Sequence, residues 1–251
     1  MARAAVSGRL TGRLVWRAAT LAQRREEAPS ACTLVFDLPD WPGHLAGQHV
    51  DVRLTAEDGY RAQRSYSLAS APQGERIELT VQRVADGEVS PYLTGGLQVG
   101  DRVEIRGPVG GWFVWRAQDT APVLLVAGGS GIVPLMAMIR TRRAAGSGVP
   151  FRLVYSVRTP ADGYYRPELG RPDPGLEIAC LYTRSAPPGW PRPPGRLTSA
   201  DLTADGWAPR DAPACYVCGP TGFVKAAADL LVAIGHHAAR IRTERFGPTG
   251  G

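Results

Sequence analysis

The sequence has almost no lysine, few cysteines, no basic run and no long apolar run. Lys225 is the only lysine, so arginine carries nearly all of the positive charge behind the net charge of +6. The arginines are dispersed along the chain, which makes nucleic acid an unfavourable partner. No segment approaches the roughly 18 uninterrupted apolar residues that cross a membrane, and no secretory signal pattern is present. We therefore expect a cytoplasmic protein that binds neither nucleic acid nor a membrane.

The four cysteines are Cys32, Cys180, Cys215 and Cys218, too few for the disulfide framework of a small secreted domain. Cys215 and Cys218 form a C-x-x-C pair, a spacing that zinc sites and redox centres share. Both fall in an apolar segment typical of a buried strand, on which positions three apart point to opposite faces. We therefore predict that the two thiols do not act as a pair and that no metal is bound.

Up to about residue 120, the chain has short segments in which apolar and polar residues alternate. Val50–Leu54, Ile77–Val81 and Val103–Arg106 have this pattern, and turns that contain glycine separate them. Short strands at regular spacing are typical of an antiparallel barrel or sandwich. The sequence therefore predicts a β-barrel domain over residues 12–118.

After Pro122 the pattern changes to continuous apolar runs separated by helical segments. Four runs are predicted to be buried strands, over residues 123–127, 151–155, 176–181 and 215–218. The spacing of apolar residues predicts helices over Pro134–Arg143 and Phe223–Ile234, with Gly235 ending the second. Strands that alternate with helices predict a doubly wound parallel sheet, here an α/β domain over residues 119–251.

Two glycine-rich motifs each follow a predicted buried strand and open a predicted helix. The first is Gly128–Pro134 (GGSGIVP) and the second is Cys218–Phe223 (CGPTGF). Glycines at such a turn let backbone N–H groups approach a pyrophosphate, and the helix N-terminus favours the anion. Because open parallel sheets bind ligands at the carboxyl ends of their strands, we expect the two motifs to line one crevice. Taken alone, the first is also compatible with a tight structural turn, and Cys218 with simple packing.

A third motif, Arg64-Ser65-Tyr66-Ser67, lies late in the barrel half. Arg64 offers a cation for a phosphate, Tyr66 a ring for stacking, and Ser67 a hydroxyl for a ring nitrogen. An ordinary exposed strand explains the same four residues equally well when they are taken alone.

The three motifs, in this order and at these separations, resemble those of the ferredoxin–NADP reductase family, and the resemblance covers the chain from about Gly12. It is nearest to the reductase components of bacterial oxygenases, without a fused ferredoxin domain. The resemblance implies FAD, with FMN less common, and NADPH or NADH as the hydride donor. The C-x4-C-x2-C spacing of a plant-type iron–sulfur cluster is absent. The electrons are therefore expected to pass to an external ferredoxin or other metalloprotein.

The resemblance implies a flavin site in the barrel. Arg64 would bind the flavin pyrophosphate with Ser65 in the same segment, Tyr66 would lie against the isoalloxazine, and Ser67 would lie near its N5. The segment 87–90 resembles the family's second phosphate loop, formed here by Gly87, Val89 and Ser90. Trp112 is a candidate contact for the adenine of FAD.

The resemblance also implies a nucleotide site in the second domain. Gly129, Gly131 and Pro134 would line the path of the nucleotide. The nicotinamide would be held beside the flavin by Cys218, Gly219 and Pro220. Many relatives have threonine where this chain has Val133, which leaves open how the nicotinamide end is hydrogen-bonded.

The segment Glu244-Arg245-Phe246-Gly247 resembles the family's carboxyl-terminal tail. The resemblance implies that Phe246 covers the flavin and that Glu244 assists proton transfer, while a plain core position for Phe246 is an equal alternative. Ser67, Cys218 and Glu244 are therefore the predicted catalytic residues.

The choice between NADPH and NADH depends on cations that bind the 2′-phosphate. Arg158, Arg184 and Arg196 match in position the arginines that some bacterial relatives use for that phosphate. Arginine forms bidentate contacts with phosphate, but in a chain this rich in arginine coincidence explains the match as well. NADPH is therefore the predicted donor, and NADH stays open.

Two other functions fit the same motifs. The first is an NAD(P)H:flavin reductase or oxidase, which would reduce free flavin or oxygen in place of a protein acceptor. The second is a non-catalytic dinucleotide-binding subunit of a larger electron-transfer complex, in which the positive charge would mark an interface.

Overall fold

The computed structural model describes residues 14–247, and the first part of this range is an antiparallel sheet. Its strands are β1 (Trp16–Ala28), β2 (Ala31–Asp37), β3 (His49–Thr55), β4 (Arg61–Ser67), β5 (Arg76–Gln82) and β6 (Arg102–Val109). Their order is β4-β3-β6-β1-β2-β5, and all neighbours are antiparallel. The outer strands meet through the bridge Leu68–Leu79, so the sheet closes into the predicted barrel. Residue 12, the predicted start of this domain, lies outside the described residues.

Alternation along the strands fills the interior of the barrel. Val50 and Val52, two apart on β3, are both fully buried, as expected where one face of a strand meets a core. After β5, a loop leads into a short helical turn over Tyr92–Gly96, and Val89 of that loop is buried in the barrel core. The loop over residues 87–90 is therefore anchored on the barrel.

From Val123 onward the chain forms a parallel five-stranded sheet with helices. The strands are β7 (Val123–Gly128), β8 (Phe151–Val157), β9 (Leu176–Tyr182), β10 (Ala214–Pro220) and β11 (Ile241–Phe246). The helices are α1 (Ile132–Ala144), α2 (Arg166–Leu169), α3 (Ser199–Asp205) and α4 (Thr221–Ala233). The strand order is β11-β10-β7-β8-β9, with all neighbours parallel. The predicted α/β fold is confirmed, with one strand more than the four predicted.

The additional strand, β11, lies at the edge of the sheet beside β10. Its sequence, IRTERF, has apolar residues only at its two ends, so it lacks the continuous apolar run that marks a central parallel strand. Its register places Glu244 beside Cys218 and Phe246 beside Pro220. The edge strand thus brings the carboxyl-terminal residues to the same end of the sheet as the glycine-rich motifs.

The two thiols of the C-x-x-C pair lie on opposite faces of β10, as predicted. Cys215 packs in the core cluster that contains Val224 of α4, whereas Cys218 belongs to the cluster on the other face, with Ile132 of α1. All four cysteines are free thiols. Within residues 14–247, no group of three or more His, Cys, Asp and Glu side chains is arranged to hold a metal.

The barrel and the second domain share a packed apolar interface. Three barrel alanines belong to the same buried cluster as α1 and the second sheet: Ala31, Ala46 and Ala69. The rings of Phe113 and Tyr216 meet edge to face with centroids 5.5 Å apart, and Trp115 meets Phe151 in the same way at 5.0 Å. Aromatic pairs of this kind favour a defined geometry. The interface therefore fixes the end of β4 relative to the end of β11.

Candidate active site

The carboxyl ends of β7 and β10 meet at the point where the strand order reverses, because β8 lies on one side of β7 and β10 on the other. The contact between them is so close that only glycine fits. A Cβ on Gly131 would overlap the Cys218 carbonyl group, and one on Gly219 would lie 2.9 Å from the Gly128 carbonyl oxygen. Open parallel sheets bind their ligands at such switch points. The two glycine-rich motifs therefore lie together at a place suited to a dinucleotide.

The first motif turns tightly into α1. Gly129 has a φ of +53°, a left-handed conformation that favours glycine. Pro134 lies in the first turn of α1, where its missing N–H is not needed. It is buried together with Ile132 and Val133, whereas Gly129 and Ser130 are partly exposed. Pro134 therefore packs in the core next to the turn, whereas Gly129 and Ser130 lie at the surface.

A cavity of about 350 Å³ lies between the barrel and the end of β11. The barrel contributes Gly47, His49, Ser65 and Ser67, the segment between the domains contributes Gly110–Phe113, and β11 contributes Thr243–Phe246. The cavity thus combines aromatic rings with hydroxyl and carboxyl groups. Two predicted flavin residues of the barrel and two predicted tail residues share this space.

Ser67 and Glu244 join the two domains at this cavity. The hydroxyl of Ser67, the last residue of β4, donates a hydrogen bond to Glu244 Oε1 at 3.1 Å. Burial raises the pKa of the Glu244 carboxyl to about 7, although the hydrogen bond from Ser67 lowers it in part. The carboxyl group therefore gains and loses its proton near neutral pH, and it lines the cavity together with the Ser67 hydroxyl.

Cys218 lies directly behind this pair. Its side chain is fully buried and neighbours Glu244 across the β10–β11 register. Burial, and then the charge of Glu244, raises the pKa of the thiol well above its ordinary value, so the thiol stays protonated. At the end of β10, Gly219 is buried and Pro220 is exposed beside Phe246, which packs partly on the core and partly lines the cavity.

Arg64 reaches the loop over residues 87–90. Its guanidinium Nη2 lies 3.6 Å from Glu88 Oε2, and both side chains are more than half exposed. The Tyr60 hydroxyl donates to Glu88 Oε1 at 2.8 Å. The Ser90 hydroxyl at the end of this loop accepts a hydrogen bond at 3.0 Å from the N–H of Val84, which precedes the loop. The fold thus places the predicted phosphate-binding arginine opposite the predicted phosphate loop.

Ser65 and Tyr66 have different environments. The Ser65 hydroxyl donates to Asp51 Oδ1 at 2.7 Å, and Asp51 also accepts from Arg106 at 2.7 Å. Ser65 is thereby fixed at the wall of the cavity. Tyr66 is partly buried against the barrel core, and burial raises the pKa of its phenol to about 12. The phenol is therefore neutral at physiological pH.

Arg158, Arg184 and Arg196 come from three segments that run side by side beyond β8 and β9. The N–H of Arg184 donates to the Arg158 carbonyl at 2.9 Å, and the N–H of Gly195 donates to the Tyr182 carbonyl at 2.9 Å. The Arg158 side chain pairs with Asp162 at 3.0 Å and is half exposed. Arg184 and Arg196 are exposed, and neither forms an ion pair with residues in the described range.

Sequence reasoning missed two residues at the site, His49 and Arg242. His49 lines the cavity opposite Ser67 in the β3–β4 register, and burial lowers the pKa of its imidazole. Arg242 of β11 lies 5.7 Å from the ring of Trp112 and donates to the Val114 carbonyl at 2.7 Å. Pairing between distant strands creates both positions, so no local pattern marks them. Trp112 is 65% exposed at the rim of the cavity.

Comparison with known proteins agrees with this geometry. Residues 14–114 match the family described as an oxidoreductase FAD-binding domain, and residues 125–229 match an oxidoreductase NAD-binding domain. The glycine betaine monooxygenase reductase subunit of Chromohalobacter salexigens is 33% identical over 211 residues, which are 81% of this chain and 56% of the relative. The ferredoxin reductase component of 3-ketosteroid-9-alpha-monooxygenase from Mycobacterium tuberculosis is 32% identical over 238 residues, 90% of this chain and 64% of the relative.

The chain belongs to the ferredoxin–NADP reductase family. Among solved structures, the cytochrome P450 reductase of Amycolatopsis has a TM-score of 0.83 at 28% identity, covering 98% of this chain and 74% of that one. The flavohem-like FAD/NAD-binding domain of nitric oxide dioxygenase from Vibrio cholerae has a TM-score of 0.82 at 26% identity, covering 92% of this chain and 99% of that one. The chain spans 53–64% of the length of the curated relatives that it matches.

The residues at the site fit the cofactors of a ferredoxin–NADP reductase. Arg64 opposite the loop over residues 87–90 supplies a cation for a pyrophosphate. The cavity supplies aromatic rings and the hydroxyl–carboxyl pair of Ser67 and Glu244. The glycines at the strand ends let the two glycine-rich motifs pack backbone to backbone, and Gly129 and Ser130 of the first motif are partly exposed there. The first domain is thus an FAD-binding domain and the second an NAD(P)-binding domain. Within residues 14–247, no helix is long and apolar enough to cross a bilayer.

Proposed function

We propose that this chain passes hydride from NADPH to FAD, which then gives up single electrons to a separate ferredoxin or other metalloprotein. The observation that carries the proposal is the hydrogen bond of 3.1 Å between Ser67 of the barrel and Glu244 of the second domain, at the cavity between them. It joins the predicted flavin motif to the predicted tail beside the nucleotide motifs. Alignment of donor and acceptor is what a protein contributes to such a transfer.

Ser67 and Glu244 would handle a proton. A hydride consists of one proton and two electrons. Once the two electrons have left one at a time, that proton must leave the cavity as well. Above its pKa of about 7 the Glu244 carboxylate is deprotonated and can take that proton through the Ser67 hydroxyl. A base whose pKa lies near the operating pH suits this role.

Cys218 and the strand-end glycines would hold the nicotinamide. Gly131 and Gly219 let the two motifs pack backbone to backbone at the switch point, which places the partly exposed turn at Gly129 next to the end of β10. The protonated thiol of Cys218 offers a soft, uncharged surface beside Glu244. Since Cys218 is fully buried and Phe246 lines the cavity in front of β10, we propose that Phe246 moves aside when the nicotinamide enters.

Arg64 and the loop over residues 87–90 would bind the flavin phosphates, with Val89 anchoring the loop and the Ser90 hydroxyl shaping it. Glu88 stands near Arg64, so the phosphate would replace that carboxylate as its partner. The exposed ring of Trp112 at the rim of the cavity supports a dinucleotide flavin, because it offers a stacking surface for an adenine. Release of the flavin with acid followed by chromatography distinguishes FAD from FMN.

NADPH is proposed over NADH because Arg158, Arg184 and Arg196 lie on neighbouring segments beyond β8 and β9. Two or three guanidinium groups there would bind a 2′-phosphate. The ion pair between Arg158 and Asp162 is an observation in favour of NADH. A carboxylate in such a position accepts a hydrogen bond from the ribose 2′-hydroxyl that NADH carries in place of the phosphate. The ratio of kcat/KM for the two nucleotides decides between them.

An external acceptor is proposed from the names of the relatives that the chain resembles. Several relatives are named as reductase components of oxygenase systems, including a ferredoxin reductase component. The net charge of +6 suits an acidic electron carrier. The four cysteines, all free thiols, favour a reducing compartment such as the cytoplasm.

One set of assays tests the function. The purified protein should be yellow, and NADPH should bleach its flavin absorbance in the absence of oxygen. Reoxidation is then followed with ferredoxin, free flavin and oxygen in parallel. Faster turnover with free flavin or oxygen than with any metalloprotein would favour a flavin reductase or oxidase. A colourless protein that cannot be reconstituted with flavin would favour a non-catalytic dinucleotide-binding subunit.

A further inference from the structure

Helix α1 carries one arginine that binds both domains. The Nη1 atom of Arg140 donates to the Ala69 carbonyl at 3.0 Å and to Glu78 Oε2 at 2.8 Å, and both acceptors belong to the barrel. Its Nε and Nη2 atoms donate to the Glu168 carboxylate of the second domain, at 3.0 and 2.6 Å. The side chain is only 14% exposed. A single guanidinium thus cross-links the domains at a mostly buried position, where such bonds are strong and directional.

The two ends of this link are both close to the site. Helix α1 starts at Ile132, directly after the glycine-rich turn, and Arg140 lies about two turns further along the same rigid element. Ala69 is two residues beyond Ser67, and its own N–H donates to the Glu78 carbonyl at 2.8 Å. Arg140 therefore connects two segments: the backbone directly after Ser67, and helix α1, which begins directly after the glycine-rich turn.

Tyr165 reinforces the same link from the segment that ends in α2. Its φ of +56° is a conformation that residues with side chains rarely adopt, yet it is 98% buried, with 2% of its surface exposed. Its N–H donates to Glu27 Oε2 of β1 at 3.0 Å, and its hydroxyl is hydrogen-bonded to the Thr80 hydroxyl of β5. The guanidinium of Arg140 lies 5.1 Å from the centre of its ring. A strained residue held by several partners indicates that this geometry matters.

We infer that Arg140 is a positioning residue for the proposed hydride transfer. It clamps the end of β4, and with it Ser67, against the helix that carries the nucleotide turn, and so sets how the flavin and nicotinamide sites face each other. The inference rests on the proposed function. Its physical basis is that transfer rates fall steeply when reacting groups are displaced by as little as 1 Å.

The test compares Arg140→Gln, Arg140→Lys and the control Arg143→Gln in the flavin-loaded protein. Arg143 lies on the same helix and also pairs with Glu168, at 3.2 Å, and with Asp173, at 2.7 Å, but only inside the second domain. The readouts are the limiting rate of anaerobic flavin bleaching at saturating NADPH, the Kd of NADPH and the flavin content. A clamp predicts a limiting rate lowered by about tenfold to a hundredfold in Arg140→Gln, with Kd and flavin content unchanged.

The charge-preserving Arg140→Lys should recover part of the rate, because an ammonium group can still reach one barrel acceptor but cannot form the fork. Arg143→Gln should keep the wild-type limiting rate. If Arg140→Gln does not fold, Glu78→Ala removes the carboxylate acceptor of the same cross-domain bond from the barrel side. Arg25→Gln controls for the other partner of Glu78, which lies at 2.8 Å.

The outcomes distinguish a failure of the inference on Arg140 from a failure of the proposed function. A wild-type limiting rate in Arg140→Gln, or in both Arg140→Lys and Glu78→Ala where Arg140→Gln does not fold, would overturn the inference. So would a raised Kd for NADPH in Arg140→Gln with an unchanged limiting rate. Both results would leave the proposed function intact, because the wild-type protein would still be bleached. A flavin-loaded wild-type protein that NADPH does not bleach would instead overturn the proposed function.

Discussion

The hydroxyl of Ser67, at the end of a barrel strand, donates a hydrogen bond of 3.1 Å to the carboxyl group of Glu244, on the edge strand of the other domain. The two residues are 177 positions apart in the sequence. Their contact closes one wall of the cavity, and the burial that it requires moves the pKa of Glu244 to about 7. Three predictions follow from this contact and its surroundings, and a fourth concerns the arginines beyond β8 and β9.

Glu244→Gln should remove a pH dependence from turnover. In the wild-type protein, reduction of a one-electron acceptor should rise as the pH increases through about 7, because the deprotonated carboxylate takes up the departing proton. The amide of glutamine can still accept the Ser67 hydrogen bond but cannot accept the proton. Steady-state rates between about pH 6 and 8.5 measure the pH profiles of the wild-type protein and of the variant. A variant that keeps the wild-type pH profile would show that Glu244 is not the base.

Glu244→Gln should also flatten the stability profile of the flavin-free protein. Because burial raises the pKa of Glu244 in the folded state above its unfolded value of 4.5, the folded state binds the proton more tightly. Its stabilising contribution is present below pH 4.5 and is lost as the pH rises through about 7. Thermal melts across this range should show the wild-type Tm falling relative to that of the variant as pH increases. Parallel curves would contradict the buried state of the carboxyl group.

Cys218→Ala should slow anaerobic flavin reduction by NADPH by about tenfold, because the thiol shapes the place where the nicotinamide is aligned. Cys215→Ala is the matched control, since it removes a buried thiol from the opposite face of the same strand. The control should keep the wild-type limiting rate and lose only some stability. Equal effects of the two substitutions on the rate would assign Cys218 a packing role alone.

Arg158→Ala combined with Arg184→Ala should lower kcat/KM for NADPH by between about tenfold and a hundredfold, the size expected for lost hydrogen bonds to a charged group. The same change should leave kcat/KM for NADH close to its wild-type value. Arg171→Ala combined with Arg210→Ala, which removes two exposed arginines from other parts of the second domain, controls for the change in net charge. An unchanged ratio of the two kcat/KM values would mean that the 2′-phosphate is bound elsewhere or is not recognised.

Much of the fold was predictable because it depends on local pattern. Alternation in segments such as Val50–Leu54 gave antiparallel strands, and the apolar run at 123–127 followed by Gly128–Pro134 gave a parallel strand, a tight turn and a helix. The opposite faces of Cys215 and Cys218 followed from strand periodicity alone. These features need only information from neighbouring residues.

Other features required long-range pairing. The edge strand β11 has too few apolar residues to be marked as a strand, and the place of His49 opposite Ser67 depends on the register of β3 and β4. Arg140 is one of three arginines in α1, and nothing in its local sequence distinguishes it from Arg142 or Arg143. Packing of α1 against the barrel selects it.

The sequence by itself determined the kinds of chemical group available: a cation and hydroxyls in the barrel, glycines at two strand ends, and a carboxylate and an aromatic ring near the carboxyl terminus. Those identities and their order are enough to recognise the family. The tertiary structure decided which groups meet, since the cavity, the Ser67–Glu244 bond and the Arg140 cross-link all lie between two domains. Their geometry depends on the interface, and so does the pKa of Glu244, because burial of a charge is a property of the folded molecule.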